Sequence, residues 1–224
     1  MDIRTNACFL LHLFGDVSIF VFLYSTYCCL LKLTMNFTVQ VADESHTKFA
    51  EEISREIFIS AQERHTGIAT RTPEYIAEKM RDGKAVIALD EEGAFAGFSY
   101  IESWGGKSYV ANSGLIVSHR YRREGLARMI KERTFMLSRK LFPDAKIFSI
   151  TTGGAVMKLN YEFGFRPVPF CELTTDPEFW KGCEGCRNYD ILLRNDYERC
   201  ICTGLLFDPN DRVQIRIPFE EKEK

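Results

Sequence analysis

Apolar and polar positions alternate at Phe37, Val39 and Val41, which predicts a strand over Phe37–Val41. The period then lengthens. Phe49, Ala50, Ile53, Ile57 and Phe58 fall at helical spacing within Asp43–Gln62, with acidic residues early. A second helix is bounded by Thr72 as N-cap, Pro73 at the first helical position and Gly83 just past the end. Three strands follow, Ala85–Leu89, Ala94–Trp104 and Ser108–Val117, with turns at Glu91–Gly93 and Gly105–Gly106. Glu124–Leu141 places Leu126, Ile130, Leu137 and Leu141 on one helical stripe, and Pro143 stops it. Lys146–Thr151 reads as a buried strand, Val156–Phe163 as a short helix and Arg166–Leu173 as a further strand. Helices lying between and beside strands predict an α/β (α+β layered) domain.

No linker-like stretch divides residues 35–174, so they are expected to form one domain, followed by a C-terminal extension over 175–224. Residues 1–34 differ in character. The apolar run Val17–Leu31 is short for a membrane span and lacks the basic start and cleavage site of a signal peptide. Three readings stay open: a leader outside the mature protein with Met35 as the true start, a membrane-associating segment, or a signal-like one.

Composition adds bounds. Hydrophobic residues make up 46% and charged residues 27%, the balance of a water-soluble globular chain. A net charge of -2 gives no basic surplus, so nucleic-acid binding is not expected, nor a membrane partner unless residues 1–34 supply one. A cytoplasmic location is the expectation.

The chemistry concentrates in Val110–Ala127, where an apolar strand runs into a basic, glycine-containing turn that opens an amphipathic helix. Free N–H groups at a helix start carry partial positive charge and suit a pyrophosphate. Gly125 removes a side chain where a phosphate would approach the backbone, small Ala127 keeps the next turn open, and Arg122 and Arg123 add charge.

The segment resembles the GNAT superfamily of N-acyltransferases, whose signature is Gln/Arg-x-x-Gly-x-Gly/Ala after a strand; Arg122, Gly125 and Ala127 match it. The order of elements over residues 36–173 and the Gly164-Phe165 pair fit as well. The resemblance implies a central mixed sheet flanked by helices and an acyl-CoA co-substrate, acetyl-CoA or another short acyl-CoA. It places Leu115, Ile116 and Val117 along pantetheine, and Arg122, Arg123, Glu124, Gly125, Leu126, Ala127 and Arg128 at the pyrophosphate. The implied function is transfer of an acyl group, acetyl above all, to the amine of a small molecule, with a homodimer among the expected partners. Ile150-Thr-Thr152, a short helix and Gly164-Phe165 are loosely similar to glutamate N-acyltransferases of arginine synthesis, pointing to an amino-acid acceptor such as glutamate. A non-catalytic acyl-CoA-binding regulatory module and a protein N-acetyltransferase are the alternatives.

Many members of that superfamily carry a Tyr five residues before the terminal Phe of the pair. Here that position is Asn160, with Tyr161 beside it as candidate acid. Glu102, late on a strand, is the candidate base, and Asn112 on the neighbouring strand completes the catalytic candidates. His119 reads as a solvated loop residue. Arg64 and Arg71 lie between the first two helices, where a carboxylate-bearing acceptor would suit them.

Five of the 8 cysteines lie in 171–202. Cys183-x-x-Cys186 and Cys200-x-Cys202 are two pairs 13 residues apart that could supply four thiolates to a structural zinc, flanked by strands at Tyr189–Leu193 and Leu205–Phe207. Disulfides, redox chemistry and buried reduced thiols are the other readings.

Overall fold

A computed structural model describes residues 36–64 and 71–211. The leader 1–34 and the Arg64 side chain lie outside the described residues. Asp43 opens the helical part with a capping box: it accepts the Ser45 N–H at 2.9 Å while His46 Nδ1 accepts the Asp43 N–H at 3.2 Å. This cap starts a 3-10 turn, Glu44–Phe49, which passes into α1, Ala50–Arg64, so the helix predicted over Asp43–Gln62 is two pieces. α2, Pro73–Arg81, begins as the sequence indicates, with Thr72 Oγ1 accepting the Tyr75 N–H at 3.2 Å.

The strands β1 (Thr38–Val41), β2 (Ala85–Leu89), β3 (Phe95–Trp104), β4 (Tyr109–Val117), β5 (Lys146–Thr151), β6 (Arg166–Val168) and β7 (Thr203–Phe207) form one sheet in the order β1-β2-β3-β4-β5-β7-β6. All neighbours are antiparallel except β4 and β5, so the sheet is mixed. On one face lies α3, Leu126–Leu141, whose Leu126, Ile130 and Phe135 pack with Phe163, Phe165 and Phe207. Of the predicted stripe, Leu141 is the exception and stays exposed. Helix and sheet approach closely at Gly97, where a Cβ would lie 2.5 Å from Ile130 Cδ1 and 2.9 Å from the Ile116 carbonyl oxygen. α4, Gly154–Glu162, lies between β5 and β6 in the chain.

Two apolar clusters share the opposite face. Ile53, Ile57, Ile76 and Met80 of α1 and α2 cover Phe98 and Tyr100. Phe148 and Phe170 are covered instead by Trp180 and Leu192, from α5 (Pro177–Lys181) and α6 (Tyr189–Leu193).

Residues 175–211 of the C-terminal extension are therefore part of the domain. Their strand β7 pairs with β5 and β6 and lies between them, and the described residues from Asn36 to Asp211 belong to one compact unit. Two further expectations are corrected. Tyr189–Leu193 is a helix, because a five-residue apolar run carries no decisive period and here turns Leu192 into the core. The strand expected over Arg166–Leu173 ends at Val168, where Pro169 leads into a 3-10 turn, Phe170–Glu172. Among the described residues no helix is long and apolar enough to cross a membrane.

Candidate active site

β4 and β5 run together only briefly. Their register joins Tyr109, Val110 and Ala111 to Lys146, Ile147 and Phe148, and then the strands part. Beyond Phe148, β5 pairs with β7, while β4 keeps β3 as its partner. A bulge accentuates the parting. Phe98 stands opposite Ile116 but Tyr100 opposite Ser113, so β4 carries one extra residue between them. Gly114 sits in that bulge at φ 65°, and a Cβ there would lie 2.6 Å from the Tyr100 ring, so the position needs glycine twice over.

The opening between the strands leads into a cavity of about 230 Å³. Ser113, Gly114 and Leu115 of β4 and Ser149, Ile150 and Thr151 of β5 form one side. Ile57, Arg71 and Tyr100 form a second, and the segment from Phe179 to Cys202 closes the third.

Past the end of β4 the basic turn takes an unusual backbone path, with Arg123 at φ 73° and Gly125 at φ 78°. A Cβ at Gly125 would meet nothing within 4 Å, so open space faces the backbone where α3 begins. The side chains of this segment divide. Leu115 reaches the cavity, whereas Ile116 and Val117 are buried in the clusters on opposite faces of the sheet. Arg122 is turned inward: its guanidinium donates to the Val117 carbonyl at 3.3 Å and to Ser60 Oγ at 3.1 Å, with Glu63 at 3.5 Å. It fastens the turn to α1 and is not extended into solvent. Arg123 and Glu124 are exposed, Leu126 is buried in the core and Ala127 half-buried. Arg128 sits 3.3 Å from Glu162 and 3.6 Å from Glu132. What remains for an anion is the main chain from Arg123 to Ala127, with the exposed Arg123 beside it.

The three catalytic candidates do not converge. Glu102 meets Lys79 Nζ at 2.6 Å and accepts the Tyr75 hydroxyl at 2.5 Å, and it is not on the cavity wall. Burial, then Tyr100 and this hydrogen bond to Glu102, hold the Tyr75 phenol above its usual pKa. Tyr161 is 48% exposed on α4 and also off the wall. Asn112 does line the cavity, but its carboxamide also reaches back to α3, accepting from Lys131 Nζ at 3.0 Å and donating to Ser138 Oγ at 2.7 Å. Burial alone pushes the Lys131 ammonium down to about 7. Asn160, where many relatives of the resemblance carry Tyr, is fully buried; its Nδ2 donates to the Val156 carbonyl, and its Oδ1 has no partner. His119 is exposed, as expected.

Arg71 is the expectation with the most structure around it. Its Nε donates to the Tyr100 hydroxyl at 2.9 Å and one terminal nitrogen reaches the Gly182 carbonyl at 3.4 Å, so it joins the α1–α2 side of the cavity to the C-terminal side. Burial opposes its charge, yet Tyr100, Tyr75 and Glu102 together hold its pKa above the ordinary arginine value.

Cys183, Cys186, Cys200 and Cys202 all reach the cavity, but among the described residues no three His, Cys, Asp or Glu side chains are disposed to hold a metal ion. The zinc expectation is unsupported. Burial, reinforced by the neighbouring sulfurs, pushes Cys183 up to about 11 and Cys202 up to about 12. Such thiols stay protonated at neutral pH and pack as small, polarizable apolar groups. No disulfide links the described cysteines. Sequence reasoning missed the aromatic part of this wall, Phe179, Trp180 and Tyr189. Its one signal was an aromatic pair just after an N-cap and proline, Asp176-Pro177.

No protein-family model matches the sequence, and no curated protein matches it. Solved structures do. N-acetylglutamate synthase from Neisseria gonorrhoeae, complexed with coenzyme A and N-acetyl-glutamate, aligns with a TM-score of 0.56 at 14% identity, over 79% of this chain and 36% of that one. The chain thus spans little more than a third of that enzyme's length. A putative acetyltransferase from Acinetobacter baylyi gives 0.54 at 15% identity over 80% of this chain and 94% of its own. A putative acetyltransferase from Salmonella typhimurium with its cofactor acetyl-CoA gives 0.53 at 14% identity, over 79% and 95%.

Proposed function

On the GNAT acetyltransferase fold that this chain adopts, we propose that it transfers an acetyl group from acetyl-CoA to the amine of a small molecule. The observation that carries this reading is the parting of β4 from β5 after Ala111 and Phe148, which opens a cavity bordered by unpaired strand edge. The residues present fit the co-substrate. An extended pantetheine arm can pair with the free edge of β4 beyond Ala111. Diphosphate suits the positive-φ turn at Arg123 and Gly125, where amides at the start of α3 face open space.

In the reaction the amine nitrogen bonds to the thioester carbonyl carbon as the carbon–sulfur bond breaks. The ammonium proton must leave beforehand, and the departing sulfur takes one up. Of the candidate residues only Asn112 lines the cavity, and its carboxamide is held by Lys131 and Ser138 of α3, so the acyl oxygen is left to main-chain donors. Glu102 instead secures the buried Lys79. The remaining contribution is positioning of amine and thioester in a shared cavity.

The test is thiol release from acetyl-CoA by the full chain with a panel of amines. Turnover in the wild type and a loss of at least roughly 100-fold in a still-folded Gly125→Trp variant are expected, since an indole there fills the diphosphate space. A wild type that binds no acetyl-CoA in calorimetry refutes the reading.

A further inference from the structure

The acceptor itself is legible in the composition of the cavity wall. Arg71 is the sole charged side chain on that wall among the described residues. Beside it, the C-terminal segment that it meets at Gly182 contributes Phe179, Trp180, Tyr189 and Leu192 together with the four cysteine sulfurs and the amide of Asn188. Phe148 and Phe170 back this surface from within the buried cluster. The rings are mutually packed: Phe179 lies 4.9 Å from Phe148 and 5.0 Å from Trp180, both edge-on. Sulfur atoms beside aromatic rings make a soft, polarizable wall, and sulfur against a ring edge is a favourable contact. The Trp180 indole N–H is already used on the Thr174 carbonyl at 2.9 Å, so it offers no donor to a polar guest. A second carboxylate or ammonium placed on this wall would lose its hydration without meeting an opposite charge there.

Taking acetyl transfer as its premise, we propose that the acceptor is an aromatic amino acid, its carboxylate toward Arg71 and its ring against Phe179, Trp180 and the cysteine sulfurs. The acidic acceptor suggested by the loose sequence resemblance does not suit this wall. Three elements far apart in the chain build the specificity. Arg71 precedes α2, Phe179 and Trp180 lie on α5, and Cys200 and Cys202 lead into β7.

The test compares kcat/KM of the full chain for phenylalanine, tryptophan, alanine, glutamate, lysine and phenethylamine, with acetyl-CoA fixed. Phenylalanine and tryptophan are expected to exceed alanine by roughly 10- to 100-fold, the usual worth of burying a large apolar side chain. Glutamate and lysine are expected at or below alanine, and phenethylamine, lacking the carboxylate, well below phenylalanine. In Arg71→Gln the ratio of phenylalanine to phenethylamine turnover should fall to within roughly twofold of one, a change in ratio that a loss of folding would not produce. Equal or better turnover of alanine, glutamate or lysine overturns the inference while leaving acetyl transfer intact. Absence of thiol release with every amine overturns acetyl transfer itself, and this inference with it.

Discussion

Replacing Lys131 with methionine should stabilise the protein at pH 6 and lose that advantage as pH rises. Lys131 lies on α3 with 3% of its surface exposed. Its Nζ meets Asn112 Oδ1 at 3.0 Å and the face of Phe165 at 4.3 Å. Burial lowers its pKa from 10.5 to about 7. Below pH 7 the amine is protonated in both folded and unfolded chains, and the folded chain bears the full cost of an ammonium out of water. Between pH 7 and 10.5 the unfolded chain binds the extra proton, so wild-type stability rises with pH. The shift corresponds to a burden of about 5 kcal/mol at pH 6 and about 2 kcal/mol at pH 9.

Methionine keeps much of the aliphatic stem but leaves Asn112 Oδ1 without its donor, a loss of about 1–3 kcal/mol at any pH. It also gives up the cation over the Phe165 ring, worth about 1–2 kcal/mol while the amine is charged. The net is a gain of up to about 3 kcal/mol at pH 6, or a rise in Tm of several degrees (about 2–4 °C per kcal/mol for a domain of this size). At pH 9 the gain should vanish or reverse. Urea denaturation of both proteins at pH 6, 7.5 and 9 measures the difference directly. A difference that is the same at all three pH values would refute the argument, because it would mean that Lys131 titrates in the folded chain as it does in the unfolded one.

Other perturbations test separate parts of the structure. Tyr161→Phe should leave kcat within roughly twofold of wild type, since the hydroxyl sits on an exposed stretch of α4 away from the cavity; a loss of roughly 100-fold would restore it as the acid. Glu102→Gln should destabilise by about 3 kcal/mol in denaturant titration, because it removes the carboxylate that pairs with buried Lys79; an unchanged midpoint would show that the pair contributes nothing. Gly97→Ala should lower stability by about 1–3 kcal/mol by forcing Ile130 and the Ile116 carbonyl away, and a neutral result would mean that α3 can lift from the sheet without cost.

Local signals in the sequence carried much of the fold. Thr72-Pro73 marks its helix start because the cap and the fixed proline φ act within one turn. Strand alternation and the glycine turns placed β1 to β4 because each side chain's face follows from its own parity. The basic turn before α3 was legible for the same reason, with Gly125 adopting the positive φ that its residue type favours. The helix at Tyr189–Leu193 was misread because five residues hold too little periodicity to choose between states.

The sequence by itself determined the order of elements and the position of the glycine-containing basic turn before α3, since both depend on interactions within a few residues. Tertiary structure decided what lines the cavity. Arg71 reaches Gly182 across 111 residues, Lys131 finds Asn112 on another element, and β7 enters the sheet between β5 and β6. None of these pairings has a local signature, because a buried contact is worth forming only after the chain between its partners has closed into a loop. The cysteines show the difference most clearly. Their spacing suggested a metal, whereas their surroundings, with aromatic rings packed beside them, make them part of an apolar wall.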